Sequence, residues 1–173
     1  MIAVEVLFWV CTGAIAWTHV GYPAAARVAA RLRPRRVLQE EITPTVAVIV
    51  AAYNEASVIE QRVANLRELD YPADRLQIVV TSDASTDDTD RLAAAAGARI
   101  VGNPRGGKVA AQDNAVRQTD SEIVAFSDAN CTWAPDALRK LVRSFADPDV
   151  AYVCGRLNIT NDAGQQGRRL LAL

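Results

Sequence analysis

The feature that most constrains this chain is the alternation, from residue 45 to residue 154, of short β-branched runs with segments of helical spacing. Residues 46–51 read VAVIVA, an unbroken apolar run of the kind a strand shows when both its faces are buried. Asn54 stands where it can cap a helix over 55–68, whose apolar positions Val58, Ile59, Val63 and Leu66 have helical spacing. A second strand is expected over 76–81 (LQIVVT), then a helix capped by Ser85 or Thr86 and running to about Ala96. A short strand at 99–101, a helix over 107–118 and a strand over 122–126 (EIVAF) follow. Pro135 sits where a first-turn proline belongs, opening a helix to about Phe145, and 150–154 reads as a last strand. Strand and helix alternating through short connections predict an α/β fold: a Rossmann-like, mostly parallel sheet flanked by helices, with right-handed crossovers.

In such sheets ligands bind beyond the carboxyl ends of the strands. Those ends carry Tyr53, Asn54 and Glu55; then Ser82 and Asp83; then Gly102, Arg105, Gly106, Gly107 and Lys108; then Asp128, Ala129 and Asn130. Carboxylates gathered at one edge suit a hard cation with oxygen ligands, Mg2+ or Mn2+. A basic, glycine-rich loop beside them suits phosphate oxygens. Together they describe a pocket for a metal–diphosphate ligand. Each set alone has a plainer reading: Asp83 with Ser85 and Thr86 as a helix-capping turn, 128–130 as a polar loop, Gly106-Gly107 as turn residues. Lys108 at a helix start opposes the macrodipole, which implies some other partner for it. The functional reading gains from all four sets falling on one edge.

Ahead of this region, residues 6–26 contain no Asp, Glu, Lys or Arg. As a helix they would span about 31 Å, close to the hydrocarbon thickness of a bilayer. Trp9, Trp17 and Tyr22 suit the interfaces, and Gly21 and Pro23 suit a break there. Arg27, Arg31, Arg33, Arg35 and Arg36 follow at once, which places that flank in the cytoplasm. A signal peptide would carry its positive charge before the apolar run rather than after it. A buried core helix would be shorter. The expectation is one N-terminal span in the inner (plasma) membrane, with the soluble part cytoplasmic.

Composition removes other classes. Nineteen Lys and Arg balance 20 Asp and Glu, so the formal net charge of −1 argues against a nucleic-acid partner. Cys11, Cys131 and Cys154 are too far apart for a zinc knuckle or a redox pair. His19 is the single histidine and lies in the apolar segment, which excludes a histidine-based triad or a multi-histidine metal site.

Four of these stretches together resemble the membrane-associated family 2 glycosyltransferases of GT-A fold. They are VAVIVAAYNE (46–55), SDASTDDT (82–89), GGKVAAQDNA (106–115) and FSDAN (126–130) with PDAL (135–138). The THVGYP segment (18–23) before a basic stretch is similar to the first membrane helix of this group. The resemblance implies that Tyr53 and Glu55 contact base and ribose, that Asp83 hydrogen-bonds the base, commonly uracil, and that Lys108 lies beside the nucleotide. It places Asp128 and Asn130 at the positions that hold a divalent metal, Mg2+ or Mn2+, against the diphosphate. The implied donor is a nucleotide sugar, most simply a UDP-sugar, and the implied acceptor a saccharide or lipid, as in polysaccharide biosynthesis. Ser82 replaces the first of the usual paired acids, Ala51 a common Pro, and Asn130 the second acid of the metal motif, a weaker ligand than a carboxylate.

The expected organisation is a membrane anchor with its basic segment over 1–36 and the nucleotide-sugar-binding part of a GT-A domain over 44–173. In this family a later acid acts as base on the acceptor. Nothing in 158–173 matches it, and Asp162 comes too early, so the base is expected beyond Leu173 and the chain as the donor-binding half, weak in transfer alone. The alternative is a membrane-tethered phosphate-binding module: 102–108 reads GNPRGGK, a phosphate-loop pattern, although Val109 stands where a magnesium-binding Ser or Thr belongs.

Overall fold

A computed structural model describes residues 2–156 of the chain. It divides into two compact units, with the boundary between Val37 and Leu38. In the first, α1 (Ile2–Ala16), a π-helical segment (Trp17–Gly21) and α2 (Tyr22–Leu32) make one helix of 31 residues, long and apolar enough to cross a membrane and with none of its residues buried. The break expected at Gly21 and Pro23 does not occur. Pro23 follows directly on the π segment, whose wider turn accommodates a residue that has no N–H to donate. Gly21 answers to packing instead, because a Cβ there would lie 2.5 Å from the Trp17 ring.

The second unit contains β1 (Val46–Ala52), α3 (Ile59–Arg67), β2 (Leu76–Asp83), α4 (Thr89–Ala95), β3 (Arg99–Asn103), α5 (Lys108–Arg117), β4 (Ile123–Asp128) and α6 (Ala137–Val142), with a 3-10 turn at Arg143–Ala146. All four strands are parallel, in the order β3-β2-β1-β4. The run VAVIVA is unbroken because β1 is central. Val46, Val48 and Val50 join Ile59, Val63 and Leu66 of α3 and Leu138 and Val142 of α6 on one face. Ile49, with Val79 and Val101, meets Ala115 of α5 on the other.

The strand order locates the site. From β1 the chain moves through β2 to β3, then returns to lay β4 on the other side of β1. The direction of winding therefore reverses between β1 and β4, and a crevice opens at the carboxyl ends of that pair. Ala51 is in register with Asp128 there, and Ala52 with Ser82 on the other flank.

Several segments differ from expectation. The first soluble helix starts at Ile59, not at residue 55, because Asn54 adopts φ 54° and caps nothing. Its Oδ1 instead accepts from the Thr86 N–H at 2.8 Å and the Thr86 hydroxyl at 3.3 Å. Ser85 is likewise spent across the loops, accepting from the Asn54 N–H at 3.2 Å, so α4 begins only at Thr89. Pro135 precedes the helix N-cap, Asp136, and its carbonyl accepts from the Asp70 N–H at 2.8 Å. Residues 150–154 form no strand: they have no ladder partner among the described residues, and Tyr152 is 80% exposed. Residues 158–173 lie outside the described residues.

Candidate functional site

β2 delivers Asp83 at its last residue, and Ala84 then turns the chain with φ 59°. The Asp83 carboxylate is nearly buried and is spent on the loop after β3. Its Oδ1 accepts from the Gly106 N–H at 2.7 Å and the Gly107 N–H at 3.0 Å. The Arg105 guanidinium lies 3.3 Å from Oδ2. The Gly106 N–H above all, helped by Gly107 and Arg105 and opposed by burial, holds the carboxyl below the usual range. Gly107 reaches this position with φ 88°, a conformation that favours glycine.

Arg105 continues the chain of contacts, lying over the Tyr53 ring at 3.4 Å from its centroid. Lys108, the first residue of α5, forms an ion pair with Asp128 at the end of β4. The partner that its position against the helix dipole implies is therefore an acid of the same rim. Tyr53, Asp83, Lys108 and Asp128 thus lie on one continuous edge, joined through Arg105 and the two glycines. This rim is closed on itself: its cations already rest on its acids and on its aromatic ring. A groove of about 310 Å3 lies at the opposite, amino edge, lined by Thr45, Arg75, Gln77 and Arg99, away from these acids.

The remaining two expected residues are less engaged. Glu55 is half-buried, and the contacts described for it are main-chain: its N–H donates to Thr89 Oγ1 at 2.8 Å and its carbonyl accepts from Val58 and Ile59. Asn130 is exposed, two residues beyond Asp128 in the same turn, with a 3.9 Å contact from the Cys131 thiol. Among the described residues no group of three or more His, Cys, Asp or Glu is placed to hold a metal. Mg2+ and Mn2+ are commonly held by one or two protein oxygens together with substrate phosphates, and the Asp128 carboxylate and the Asn130 amide are the oxygen donors of this turn that could contribute to such a set.

In the sequence Arg105 is only a basic neighbour of the glycines; its stack on Tyr53 joins the end of β1 to the loop after β3, which no local pattern encodes. Arg62 is not among the residues expected at the site. The signal there is a charge on an apolar helical face, since Arg62 shares the buried side of α3 with Ile59, Val63 and Leu66.

The model of glycosyl transferase family 2 matches residues 47–172. A beta-monoglucosyldiacylglycerol synthase from Synechocystis sp. is 36% identical over 128 residues, which are 69% of this chain and 27% of the relative. An N-acetylglucosaminyltransferase from Azorhizobium caulinodans is 34% identical over 128 residues, 69% of this chain and 32% of the relative. The chain therefore spans about a third or less of the length of these curated relatives. Among solved structures, a mannosyltransferase from Pyrobaculum calidifontis in complex with GDP-Man and Mn2+ is similar, with a TM-score of 0.68 and 35% identity over 79% of this chain and 44% of that one. Glucosyl-3-phosphoglycerate synthase from Mycobacterium tuberculosis, in complex with Mn2+, UDP and glucosyl-3-phosphoglycerate, gives a TM-score of 0.50 and 31% identity over 57% of this chain and 38% of that one.

Proposed function

As the chain belongs to glycosyl transferase family 2, we propose that its sheet rim is the donor site of a glycosyltransferase and binds a nucleotide sugar, UDP-linked, through the diphosphate and a divalent cation. The observation that carries this reading is the continuous contact chain from Tyr53 through Arg105, Asp83 and Gly107 to Lys108 and Asp128, along the carboxyl edge of the sheet from the ends of β2 and β3 to the β1–β4 pair where the winding reverses. Both solved relatives hold Mn2+, one with GDP-Man and one with UDP, which supports the ligand class. Their different bases make a GDP-sugar the second reading.

The roles follow from chemistry. Tyr53 offers a ring face to the base once Arg105 leaves it. Asp83 holds Gly106 and Gly107 in place; its Oδ2 now accepts from the Gly107 N–H at 3.1 Å and pairs with Arg105, and once Arg105 leaves it can accept from a donor on the base or ribose, the same part of the donor that Glu55 would meet. Lys108 exchanges Asp128 for a phosphate oxygen. Asp128 and Asn130 hold Mg2+ or Mn2+, which when bound neutralises charge on the departing nucleoside diphosphate. In the transfer the bond from the anomeric carbon to the diphosphate oxygen breaks and one to the acceptor hydroxyl oxygen forms. The acceptor's proton passes to a base that none of these residues supplies. A saccharide or lipid is the acceptor, and residues 1–36 anchor the 44–173 part at the cytoplasmic face of the membrane.

The phosphate-loop alternative meets a specific obstacle. A phosphate loop cradles its ligand with main-chain N–H groups, and those of Gly106 and Gly107 are already given to Asp83.

Thermal unfolding of the full chain in detergent tests the proposal. UDP with Mn2+ at about 100 times its Kd should stabilise by about 2.7 kcal/mol, raising Tm by several degrees. Asp83→Ala and Asp128→Ala should each abolish the rise. No rise with UDP or GDP, or a rise that survives Asp128→Ala, overturns it. ATP stabilising as well as UDP does, lost in Lys108→Ala, would restore the alternative.

A further inference from the structure

We propose that Arg62 is the positioning residue of the Asp128–Asn130 loop, a buried guanidinium on α3 that fixes both flanks of the stretch expected to meet the metal and the diphosphate. The inference rests on the donor-site reading and deepens it.

Arg62 is only 2% exposed, on the face of α3 that otherwise carries Ile59, Val63 and Leu66. Its Nη2 donates to Ser127 Oγ at 2.7 Å, and its Nη1 donates to Asn65 Oδ1 at 2.6 Å. That amide grips Trp133 from both sides: Oδ1 accepts from the Trp133 N–H at 2.9 Å, and Nδ2 donates to the Trp133 carbonyl at 3.0 Å. The guanidinium also lies over the Trp133 ring, 5.2 Å from its centroid. Ser127 Oγ in turn donates to the Asp128 carbonyl at 3.3 Å. Thus the residue before Asp128 and the residue three beyond Asn130 both hang from one turn of α3, through Arg62 and Asn65.

The loop needs such a splint. Between Asp128 and Trp133 the main-chain bond described is the weak one from the Cys131 N–H to the Asp128 carbonyl at 3.4 Å. The charge is not what packing asks for at this place. Burial lowers the guanidinium to about 10, still charged at neutral pH, and its Nε–H has no hydrogen-bond partner among the described residues. An apolar side chain of similar volume would avoid that desolvation, and a lysine would lack the planar fork that reaches two acceptors at once. What only arginine does here is join two segments that flank the candidate metal turn. Groups standing behind a metal ligand commonly change metal affinity 10- to 100-fold when removed.

The test uses the full chain in detergent with Arg62→Lys and, as a variant that leaves the core filled, Ser127→Ala. Mn2+ uptake with UDP or GDP is followed by the electron paramagnetic resonance of the ion, nucleotide binding without metal by calorimetry in EDTA, and the loop by amide hydrogen exchange. In Arg62→Lys the Mn2+-dependent gain in nucleotide affinity should fall about tenfold, while metal-free affinity is unchanged. Amides of residues 129–133 should exchange faster while those of β1 and β2 keep their protection. Ser127→Ala should move both readouts the same way by less. Both variants keeping the wild-type gain would overturn the inference, and so would an equal loss of metal-free binding, which marks a general structural role. A wild-type chain that takes up no Mn2+ with either nucleotide sinks the donor-site reading itself. Exchange at 129–133 then decides Arg62 alone, since unchanged protection in Arg62→Lys removes it as the anchor of the loop.

Discussion

Lys108 and Asp128 are both about half exposed, so their ion pair is worth at most about 1 kcal/mol. On the proposed reading, a pair this weak would yield to an arriving cation at little cost. Lys108→Met leaves Asp128 without its cation. Mn2+ alone should then bind up to about fivefold tighter, while affinity for UDP with Mn2+ falls roughly tenfold because the phosphate loses a charged donor. Paired Mn2+ titrations with and without UDP read the two effects, and both moving in one direction would refute the exchange. Ala84 raises a different point at the same scale. Its φ of 59° places a Cβ where L residues pay about 1 kcal/mol, at a bend whose neighbour Asn54 carries the same strain with a side chain that tolerates it. Ala84→Gly should raise stability by up to about 0.5 kcal/mol, the relief of that strain less the chain entropy glycine loses on folding, measured by denaturant midpoint.

At the scale of elements, the loop after β2 holds the loop after β1. Asp87 Oδ2 accepts from the Ala56 N–H at 3.1 Å, its Oδ1 from the Thr89 N–H at 3.0 Å, and buried Thr89 accepts from the Glu55 N–H. The Thr89 hydroxyl chiefly, with these main-chain donors, lowers the Asp87 carboxyl below its ordinary 3.8. A folded-state pKa lower than the unfolded one stabilises the fold above the ordinary value, and the gain is lost as pH falls through the lowered one. Tm should therefore be flat from neutral pH down to about 5 and drop below about 4. Asp87→Asn should lower Tm at neutral pH and flatten the acid limb; an unchanged limb would remove Asp87 from that role. These loops also mark the limit of what the sequence shows. The strands were legible because VAVIVA and LQIVVT report burial residue by residue, and Asp83, Lys108 and Asp128 because parallel strands deliver their ends to one edge. The starts of the helices were not, because Asn54, Ser85 and Thr86 carry the chemistry of local caps and bond across loops instead. Arg62 was legible as an anomaly in an apolar stripe, but nothing local to it points 65 residues ahead to Ser127.

For the whole molecule, the question is which side of a membrane the donor site faces. Five arginines between Arg27 and Arg36 follow the apolar helix directly, and basic clusters at the end of a span remain in the cytoplasm. The three free cysteines report on this without new mutations in the site: Cys11 lies within the charge-free stretch, Cys131 and Cys154 in the unit that carries the rim. In right-side-out vesicles a membrane-impermeant maleimide should label none of them. Opening the vesicles should expose Cys154, and Cys131 more slowly, since it is partly buried while Cys154 is exposed. Cys11 should react only after the bilayer is dissolved, because a charged, water-soluble reagent does not enter the hydrocarbon. Mn2+ with UDP should slow the reaction at Cys131, one residue beyond Asn130, and leave Cys154 unaffected. Labelling of Cys154 in sealed vesicles would place the rim outside, where a cytoplasmic pool of nucleotide sugar cannot reach it. Labelling of Cys11 in opened but undissolved vesicles would show that the helix does not cross the bilayer.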